Sequence, residues 1–472
     1  MNFLGLDVGT TTVTAVVVAS ETGDVVAKAT APNDAETTSD QDKRLGRSEW
    51  DPARILSVIR QVLGEAASQA QGIAGIGVTG QMHGMLLVDG GANPVGPFFG
   101  WQDQRATEPH PSADGTVVAA LTDLVESADP DGTVIRPKTG YLGATLSWLL
   151  AHDAVPSNAL ATFLPDFVSA QLTSTQPVTD PTNAAGSGLF DVVTSRWHEP
   201  LLERAGIDGS LLPRVVQSGT SAGHLVDDWA EGLDAGIPVC VACGDNQASF
   251  LGSVRDPGSS VLINVGTGGQ VSVSSDMPLT GPGLEARPYV DGNYILVGAG
   301  LVGGRTYAWL RDFYLAIGRT LFDVDASSED VYERMTKLAS DVDAGSDGLS
   351  FEPLFTGTRE EPSRRGSIEG IGTTNFSPGH VSRALLEGMI GQFRWLYGNA
   401  LEAGAVERST LVGAGNGIRK NAVLREIAEK DFGLKMQVPV HTEEAAFGAA
   451  MQAMVLGGCR KDLKDAGETI RY

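Results

Sequence analysis

Apolar positions follow two alternating patterns along the first half of the chain. Compact apolar runs of strand length, for example 13–19 and 73–80, alternate with longer stretches where apolar residues recur every three or four positions. This alternation is typical of α/β layers with a mixed sheet. The segment 48–70 is the clearest helix, because Asp51 is placed to cap it and Pro52 suits its first position.

The same alternation starts again near Pro238. The apolar pattern predicts further strands and helices within 239–243, 259–266, 305–318, 377–404, 409–433 and 443–458. A chain of 472 residues is too long for one ordinary core. We therefore predict an α/β fold with two domains, over 1–240 and 241–472.

Each predicted domain contains the same hairpin pattern. The chain reads LGLDVGTTTVTAVVVAS from Leu4 and VLINVGTGGQVSVSS from Val261, with a Val-Gly-Thr turn between two strands each time. Such a turn presents backbone N–H groups and threonine hydroxyls, and we expect its glycine to supply a positive φ and room for a ligand. Two such turns predict a site for the phosphates of one nucleotide.

The composition restricts the class of protein. A formal net charge of −24 argues against nucleic-acid binding, which needs a basic face. No run of eighteen apolar residues is present and the N-terminal residues enter a strand pattern directly, so we expect no membrane segment, no signal peptide and a cytoplasmic location. Three cysteines fit a reducing compartment, and Cys240 and Cys243 lie in an apolar run that predicts burial rather than a redox or metal motif.

Two aspartates follow strand runs. Asp7 precedes the first Val-Gly-Thr turn, where a carboxylate can hold Mg²⁺ directly or through water, although aspartate also caps turns. Asp245 follows the run 239–243 and is placed to accept a proton from a substrate hydroxyl, although it also suits the N-cap of the next helix. The sequence thus offers one candidate metal ligand and one candidate general base.

Polar and aromatic residues concentrate in two nearby motifs. TGQMHG contains Gln81 and His83, and GWQDQRA contains Trp101, Asp103 and Arg105. An aromatic face beside hydrogen-bond donors and acceptors suits a polyol. Taken alone, His83 is better explained as an ordinary core histidine, and Asp103 as the ion-pair partner of Arg105.

The stretch GAGNGIRKN, residues 413–421, joins an apolar run to a helix. Its glycines would let a flat ring lie against the backbone, and Asn421 could reach a ribose or a base. A turn at a helix start also uses glycine, so this motif alone does not decide between the two roles.

Seven motifs in order resemble the FGGY carbohydrate kinases of the actin-like, ribonuclease-H-like superfamily: LDVGTTT, GQMHG, WQDQR, TDPTNAAGSGLFD, GDNQAS, NVGTGG and GAGNGIRKN. The resemblance runs from residue 2 to about residue 458. It implies two actin-like domains with mixed sheets flanked by helices, a catalytic cleft between them, and ATP with Mg²⁺.

The resemblance also implies roles for residues. Asp245 matches the catalytic base of the family. The residues expected at ATP are Thr10, Thr11, Thr12, Gly266, Thr267, Gly268, Gly304, Gly413, Gly415, Asn416 and Asn421. The residues expected at the sugar are Gln81, Met82, His83, Trp101, Asp103, Asp245 and Asn246.

The motifs divide between two sugars. QMHG is similar to the motif of xylulose and sedoheptulose kinases, WQDQR, TGTREEPSRRGSIEGI and GHVSRALLEGM look closer to sedoheptulokinases, and GDN is nearer the xylulose-kinase form. We therefore predict phosphorylation of a terminal hydroxyl of a ketose by a monomer or homodimer, with sedoheptulose first and xylulose or another polyol second. The non-enzyme alternative is an actin-like ATP-binding switch, which would have no use for the set His83, Trp101, Asp103 and Asp245.

Overall fold

The computed structural model describes residues 1–226, 229–300, 302–355, 357 and 363–472. The strands up to residue 244 are β1 (Asn2–Val8), β2 (Thr12–Ala19), β3 (Val25–Pro32), β4 (Glu49–Trp50), β5 (Ile73–Gly80), β6 (Leu86–Val88), β7 (Phe98–Phe99), β8 (Leu160–Thr162), β9 (Val178–Thr179), β10 (Phe190–Asp191), β11 (Arg196–Trp197), β12 (Arg214–Val215), β13 (Ser221–His224), β14 (Pro238–Cys240) and β15 (Cys243–Gly244). The helices in the same part are α1 (Asp40–Arg44), α2 (Pro52–Gln69), α3 (Val117–Ala128), α4 (Leu142–Ala151), α5 (Leu164–Thr173), α6 (Pro181–Ala184), α7 (Glu199–Ala205) and α8 (Asp245–Ser253).

The remaining residues form fewer and longer elements. The strands are β16 (Ser260–Val265), β17 (Gly269–Ser275), β18 (Leu284–Pro288), β19 (Tyr294–Gly300), β20 (Ser350–Glu352), β21 (Ser367–Glu369), β22 (Thr410–Ala414) and β23 (Met436–Gln437). The helices are α9 (Gly304–Phe322), α10 (Ser328–Ser340), α11 (Pro378–Glu402), α12 (Gly415–Lys420), α13 (Ala422–Phe432), α14 (Glu444–Leu456) and α15 (Leu463–Gly467).

Local sequence signals set the start of the long helices. The Asp51 side chain accepts a hydrogen bond from the backbone N–H of Ala53, and Pro52 is the first residue of α2, as its missing N–H allows. Ser377 caps α11 in the same way, by accepting from the N–H of His380. Among the described residues, none of the helices combines the length and the apolar character that crossing a membrane requires.

The first large sheet has the strand order β13-β14-β5-β1-β2-β3, with β15 also paired to β5. Strands β1, β2 and β3 form an antiparallel meander, whereas β5 runs parallel to β1, β14 and β15. Helix α2 packs over β2 and β3, and α14 packs against β1 and β5. The sheet is therefore mixed, with its parallel part covered by helices.

The second large sheet has the order β18-β19-β17-β16-β22-β23. Strands β16, β17 and β19 are antiparallel neighbours, and β22 runs parallel to both β16 and β23. Strand β16 thus has the position that β1 has in the first sheet, and both sheets continue from it with an antiparallel meander on one side and parallel strands on the other. The repeated hairpin of the sequence is the centre of a repeated sheet.

The chain divides into two compact units that do not follow one another in sequence. One unit comprises residues 1–255, 287–293 and 443–471, and the other comprises 256–286, 294–442 and 472. This division differs from the predicted boundary at 240/241, because β14 and β15 both pair with β5 and because α14 packs on α8 and on the first sheet. Non-local packing of this kind leaves no signal in the local apolar pattern.

Candidate active site

The ends of three parallel strands bring the predicted residues of the first unit together. In the sheet register Asp7 pairs with Thr79 and Thr79 with Cys243, so β1, β5 and β15 end side by side. The motif from Gln81 follows β5 directly, and Asp245 follows β15. Loops at the carboxyl ends of neighbouring parallel strands are the usual ligand site of an open α/β sheet.

Both Asp7 and Asp245 have raised pKa values, and the charge of Asp245 contributes to the shift at Asp7. Burial raises the pKa of Asp7 to about 7, and the negative charges of Asp245 and Glu443 add to the effect. Burial also raises the pKa of Asp245 to about 6, while the Asn246 N–H and the Arg287 charge act in the opposite direction. A site that holds two carboxylates with raised pKa values favours a bound cation.

A divalent cation fits the oxygen atoms that this site presents. The Oδ1 atom of Asp7 is buried and accepts no hydrogen bond from the described residues. The described residues contain no group of three histidine, cysteine, aspartate or glutamate side chains that could hold a metal ion. Mg²⁺ is commonly bound by one or two carboxylates together with substrate phosphates and water, so a single carboxylate such as that of Asp7 is compatible with it.

Asp245 is the first residue of α8, and the N-cap is Gly244. The alternative of an Asp245 cap is therefore wrong by one position, although a carboxylate in the first turn still interacts favourably with the helix N-terminus. The side chain is only partly buried. Asp245 is thus partly shielded from water, in agreement with its raised pKa, and remains partly exposed.

The first hairpin turn is bonded directly to both polar motifs. The Thr10 hydroxyl donates to Gln81 Oε1 at 3.2 Å, and the Trp101 indole Nε1 donates to Thr10 Oγ1 at 3.0 Å. Trp101 remains 44% exposed, and Gln81 Nε2 is buried without a partner among the described residues. Thr11 and Thr12 are exposed next to them. The structure therefore places the phosphate-type turn and the sugar-type motifs in one cluster.

His83 is held between a carbonyl group and an aromatic ring. Its Nδ1 lies 3.0 Å from Gly186 O, which can only accept, so Nδ1 carries the proton. Its ring stacks on Tyr141 at 4.1 Å with an angle of 6° between the planes. Its backbone has a φ of 77°, which is rare for a residue other than glycine. Such a strained conformation often occurs at functional sites.

Tyr141 was not among the predicted site residues. It follows Gly140, which has a φ of 77° and lies so close to the Trp101 carbonyl group that a Cβ atom would overlap with it. The only sequence signal was this glycine turn before a helix.

Met82 is buried, and its sulfur would lie 2.7 Å from a Cβ atom on Gly244, so it packs against the residue that precedes Asp245. Asn246, the second residue of α8, is partly buried.

The structure corrects the predicted role of Asp103. The carboxylate is fully buried: Oδ1 accepts from Arg105 N and Nε, and Oδ2 accepts from Ser48 N and an Arg105 guanidinium nitrogen. Arg105 also pairs with Glu49 and lies over the ring of Phe99. Each carboxylate oxygen already accepts two hydrogen bonds, so Asp103 braces the loop after β7 and is not available to a sugar hydroxyl.

The second hairpin turn, residues 266–268, lies at the start of α9. Gly304 N donates to Gly266 O at 2.8 Å, and Arg305 N donates to Thr267 O at 3.0 Å. Thr267 and Gly268 are exposed. Two backbone hydrogen bonds thus join this turn to the N-terminus of α9, which includes Gly304.

The expected positive φ of the turn glycines is wrong. The described glycines with positive φ do not include Gly9 or Gly266. Close backbone contact explains the glycine at Gly9, because a Cβ atom there would lie 2.9 Å from Thr12 O.

The 413–421 stretch separates into accessible and structural residues. Gly415, with a φ of 82°, is partly exposed and Asn416 is exposed. Gly413 is buried, and Asn421 is the N-cap of α13, with its Oδ1 accepting from Leu424 N at 3.0 Å. The local structure gives Gly413 a packing role and Asn421 a capping role, and the contacts of both with adenosine stay predictions.

Comparison with known proteins agrees with this arrangement. The N-terminal domain model of the FGGY family of carbohydrate kinases matches residues 2–252, and the C-terminal domain model matches residues 261–457. A sedoheptulokinase of Mus musculus is 30% identical over 477 residues, covering 95% of this chain and 96% of the relative. A xylulose kinase of Staphylococcus xylosus is 25% identical over 465 residues, covering 95% and 90%.

The fold is also that of a solved kinase. The crystal structure of a xylulose kinase from Rhodospirillum rubrum superposes with a TM-score of 0.84 at 24% identity, covering all of this chain and 93% of the other. The predicted fold class is thereby confirmed. With both family domains present in order and the candidate acids at the strand ends, the chain belongs to the FGGY family of carbohydrate kinases and is an ATP-dependent sugar kinase.

Proposed function

We propose that the protein transfers the γ-phosphoryl group of ATP to the terminal hydroxyl of sedoheptulose, giving ADP and sedoheptulose 7-phosphate. The observation that carries the chemistry is the position of Asp245 beside Asp7 at the ends of parallel strands. The observation that favours sedoheptulose is the 30% identity to a sedoheptulokinase along nearly the whole of both chains.

Asp245 acts as the general base in this proposal. Its pKa of about 6 leaves the carboxylate ionised at neutral pH, yet basic enough to take a proton from a hydroxyl that is becoming a nucleophile. The hydroxyl oxygen forms a bond to the γ-phosphorus, the bond to the β–γ bridging oxygen breaks, and the proton goes to Asp245. Asp7 would hold Mg²⁺, which neutralises charge on the phosphate oxygens when bound.

The remaining site residues would bind and orient the two substrates. Gln81, with a buried and unpartnered Nε2 among the described residues, would donate to a sugar hydroxyl, and the exposed ring of Trp101 would cover a carbon face. His83 and Asn246 would supply further polar contacts. The exposed Thr267 and the N–H groups near it would bind phosphate oxygens.

The test is the rate of ADP release with a panel of acceptors in the presence of ATP and Mg²⁺. We expect the highest kcat/KM with sedoheptulose, and a product whose mass increases by one phosphoryl group. Xylulose, ribulose, gluconate, erythritol and glycerol complete the panel. If none of these acceptors accelerates ADP release, the proposed reaction is wrong.

Xylulose is the second candidate acceptor. It is favoured by the motif GDN at 244–246 and by the similarity to a xylulose kinase. The sequence of the segment 356–371 looks closer to sedoheptulokinases. Residues 356 and 358–362 of this segment lie outside the described residues, so the segment does not distinguish the two sugars. A kcat/KM for xylulose above that for sedoheptulose would decide for this alternative.

A further inference from the structure

A buried threonine holds the residue that precedes the proposed base. Gly244 N donates to Thr182 Oγ1 at 2.9 Å, and Thr182 Oγ1 donates to Asp180 Oδ1 at 2.6 Å. Thr182 and Asp180 are both fully buried. Because the single hydroxyl proton of Thr182 goes to Asp180, a lone pair on the hydroxyl oxygen faces Gly244, and the direction of the whole link is fixed.

Asp180 is itself held at both oxygens. Its Oδ1 also accepts from the backbone N–H of Asn183 at 3.0 Å, and its Oδ2 accepts from Ser218 Oγ at 2.6 Å. Asp180 is the N-cap of α6, so helix formation and the Thr182 link use the same carboxylate. A buried carboxylate that is hydrogen-bonded at both oxygens in this way is held rigidly.

The link acts on a short strand that buried side chains also hold. Strand β15 contains only two residues, each paired with one residue of β5. Side chains hold its neighbourhood as well: Asn183 Nδ2 donates to Ala242 O at 3.4 Å, and Thr79 Oγ1 donates to Cys243 O at 2.8 Å. Three consecutive residues, 242–244, are thus each bonded to a buried side chain immediately before Asp245.

We infer that Thr182 is a positioning residue for phosphoryl transfer, because it fixes the Gly244 N–H and thereby the start of α8 and the direction of the Asp245 carboxylate. The inference rests on the proposed role of Asp245 as the base. Thr182 contacts neither substrate in this account. A general base displaced by a fraction of an ångström loses alignment with the attacking hydroxyl, which lowers kcat more than it affects binding.

The first test compares three substitutions. Thr182→Val keeps the volume and removes the hydroxyl, and we expect kcat to fall about 10- to 100-fold with both KM values within about threefold of wild type. Thr182→Ser keeps the hydroxyl and should restore most of kcat. The control is Thr145→Val, because Thr145 is equally buried and its hydroxyl has no partner among the described residues.

A double-mutant cycle separates positioning from general damage. In the Asp245→Asn protein the proposed base is absent, so adding Thr182→Val should lower kcat by less than about twofold further. If Thr182→Val does not fold, Ser218→Ala enters the same cycle, since it removes one donor to Asp180 at a partly exposed position.

The outcomes distinguish this inference from the proposed function. A Thr182→Val protein with wild-type kcat beside a severely impaired Asp245→Asn protein would overturn the inference alone. Additive losses in the double variant would also overturn it, because they indicate a purely structural effect. Wild-type kcat in Asp245→Asn would overturn the proposed base and with it the inference.

Discussion

Asp103 shows how buried neighbours decide the role of a single carboxylate. The sequence allowed either a sugar ligand or an ion pair with Arg105, because a spacing of two residues says nothing about which atoms meet. In the structure each of its oxygens accepts two hydrogen bonds from the protein. The backbone N–H of Ser48 and the burial of the carboxylate therefore determine the role of Asp103, and neither can be read from the motif.

Replacement of this buried acid should damage stability rather than sugar binding. We expect Asp103→Asn to lower the free energy of unfolding by about 3 kcal/mol, because Arg105 loses a buried charged partner. The KM for sugar should stay within a few-fold of wild type in the folded fraction. Urea unfolding and sugar kinetics on the same preparation provide the measurement.

The matched control is Asp34→Asn, which breaks the exposed pair of Asp34 with Arg54. Its effect on unfolding should be much smaller, because exposed ion pairs contribute little. A large rise in the KM for sugar in Asp103→Asn, without a loss of stability, would contradict the structural role and indicate that Asp103 binds the sugar.

Residues at strand ends could be predicted, whereas residues that act across the fold could not. The positions of Asp7 and Asp245 at strand ends could be predicted, because each comes at the end of an apolar run of strand length. Thr182 and Tyr141 were missed because their partners lie more than forty residues away in the chain. Arg287 was missed for the same reason, since nothing around it signals proximity to Asp245.

Two elements, the repeated hairpins, carry the phosphate chemistry in the proposed function. Thr267→Val should weaken ATP binding about tenfold or more, because a hydrogen bond to a charged phosphate oxygen contributes about 1.5–3 kcal/mol. Calorimetric titration with ATP and Mg²⁺ in the absence of sugar measures the change. Thr320→Val on the exposed side of α9 is the control. Equal ATP affinity in the Thr267→Val and control proteins would contradict a phosphate role for the second turn.

The packing of α14 on the first sheet depends on glycines in the strands. A Cβ atom on Gly77 of β5 would overlap with the carbonyl oxygen of Ala449, and one on Gly5 of β1 with that of Ala446. Gly77→Ala should therefore lower the midpoint of thermal unfolding by several degrees, since about 1–3 kcal/mol of overpacking strain is typical. Gly209→Ala, where no atom lies within 4 Å, is the control and should unfold like wild type. Equal unfolding midpoints of Gly77→Ala and wild type would contradict this, because they would show that α14 shifts without cost to make room for the Cβ atom.

Among the helices and strands, the long ones could be predicted from the sequence and the short ones could not. Helices α2 and α11 carry capping residues and a continuous apolar stripe, so their starts were correct. Strand β15 has two residues, and it exists because β5 and the side chain of Thr182 hold it. Such an element has no pattern of its own in the sequence.

Over the whole molecule, buried acids make the stability depend on pH. Burial raises the pKa of Asp166 well above its usual range and the Asp180 charge adds to this, although hydrogen bonds from Thr179 and Asn183 act in the opposite direction. At a pH well below 3.8, the ordinary pKa of an aspartate, the carboxyl group is protonated in both the folded and the unfolded chain. As the pH rises, the carboxyl group ionises in the unfolded chain at a lower pH than in the folded chain. The free energy of unfolding therefore decreases with rising pH.

Asp166→Asn removes the carboxyl group and with it this dependence of the free energy of unfolding on pH. We expect the unfolding midpoint of the variant, relative to wild type, to increase as the pH rises above 4.5 and to stop increasing once the carboxyl group ionises in the folded protein as well. Differential scanning fluorimetry across that range measures it, with Asp114→Asn at an exposed position as the control. A constant or decreasing difference would contradict a protonated Asp166 in the folded protein.

The division of the chain into two units was the least predictable feature. The apolar pattern indicated two α/β halves, and both sheets share one strand arrangement. The segment 443–471 nevertheless belongs to the first unit, because its small residues pack against β1, β5 and α8. Helical periodicity predicts that such a helix forms, but not which sheet it covers.

The central claim is that Asp245 takes the proton from the acceptor hydroxyl. The most direct measurement is kcat for the best sugar in the Asp245→Asn protein, with ATP and sugar affinities measured on the same sample. We expect kcat to fall about 10²-fold or more while both affinities are retained. A kcat within a few-fold of wild type would contradict it.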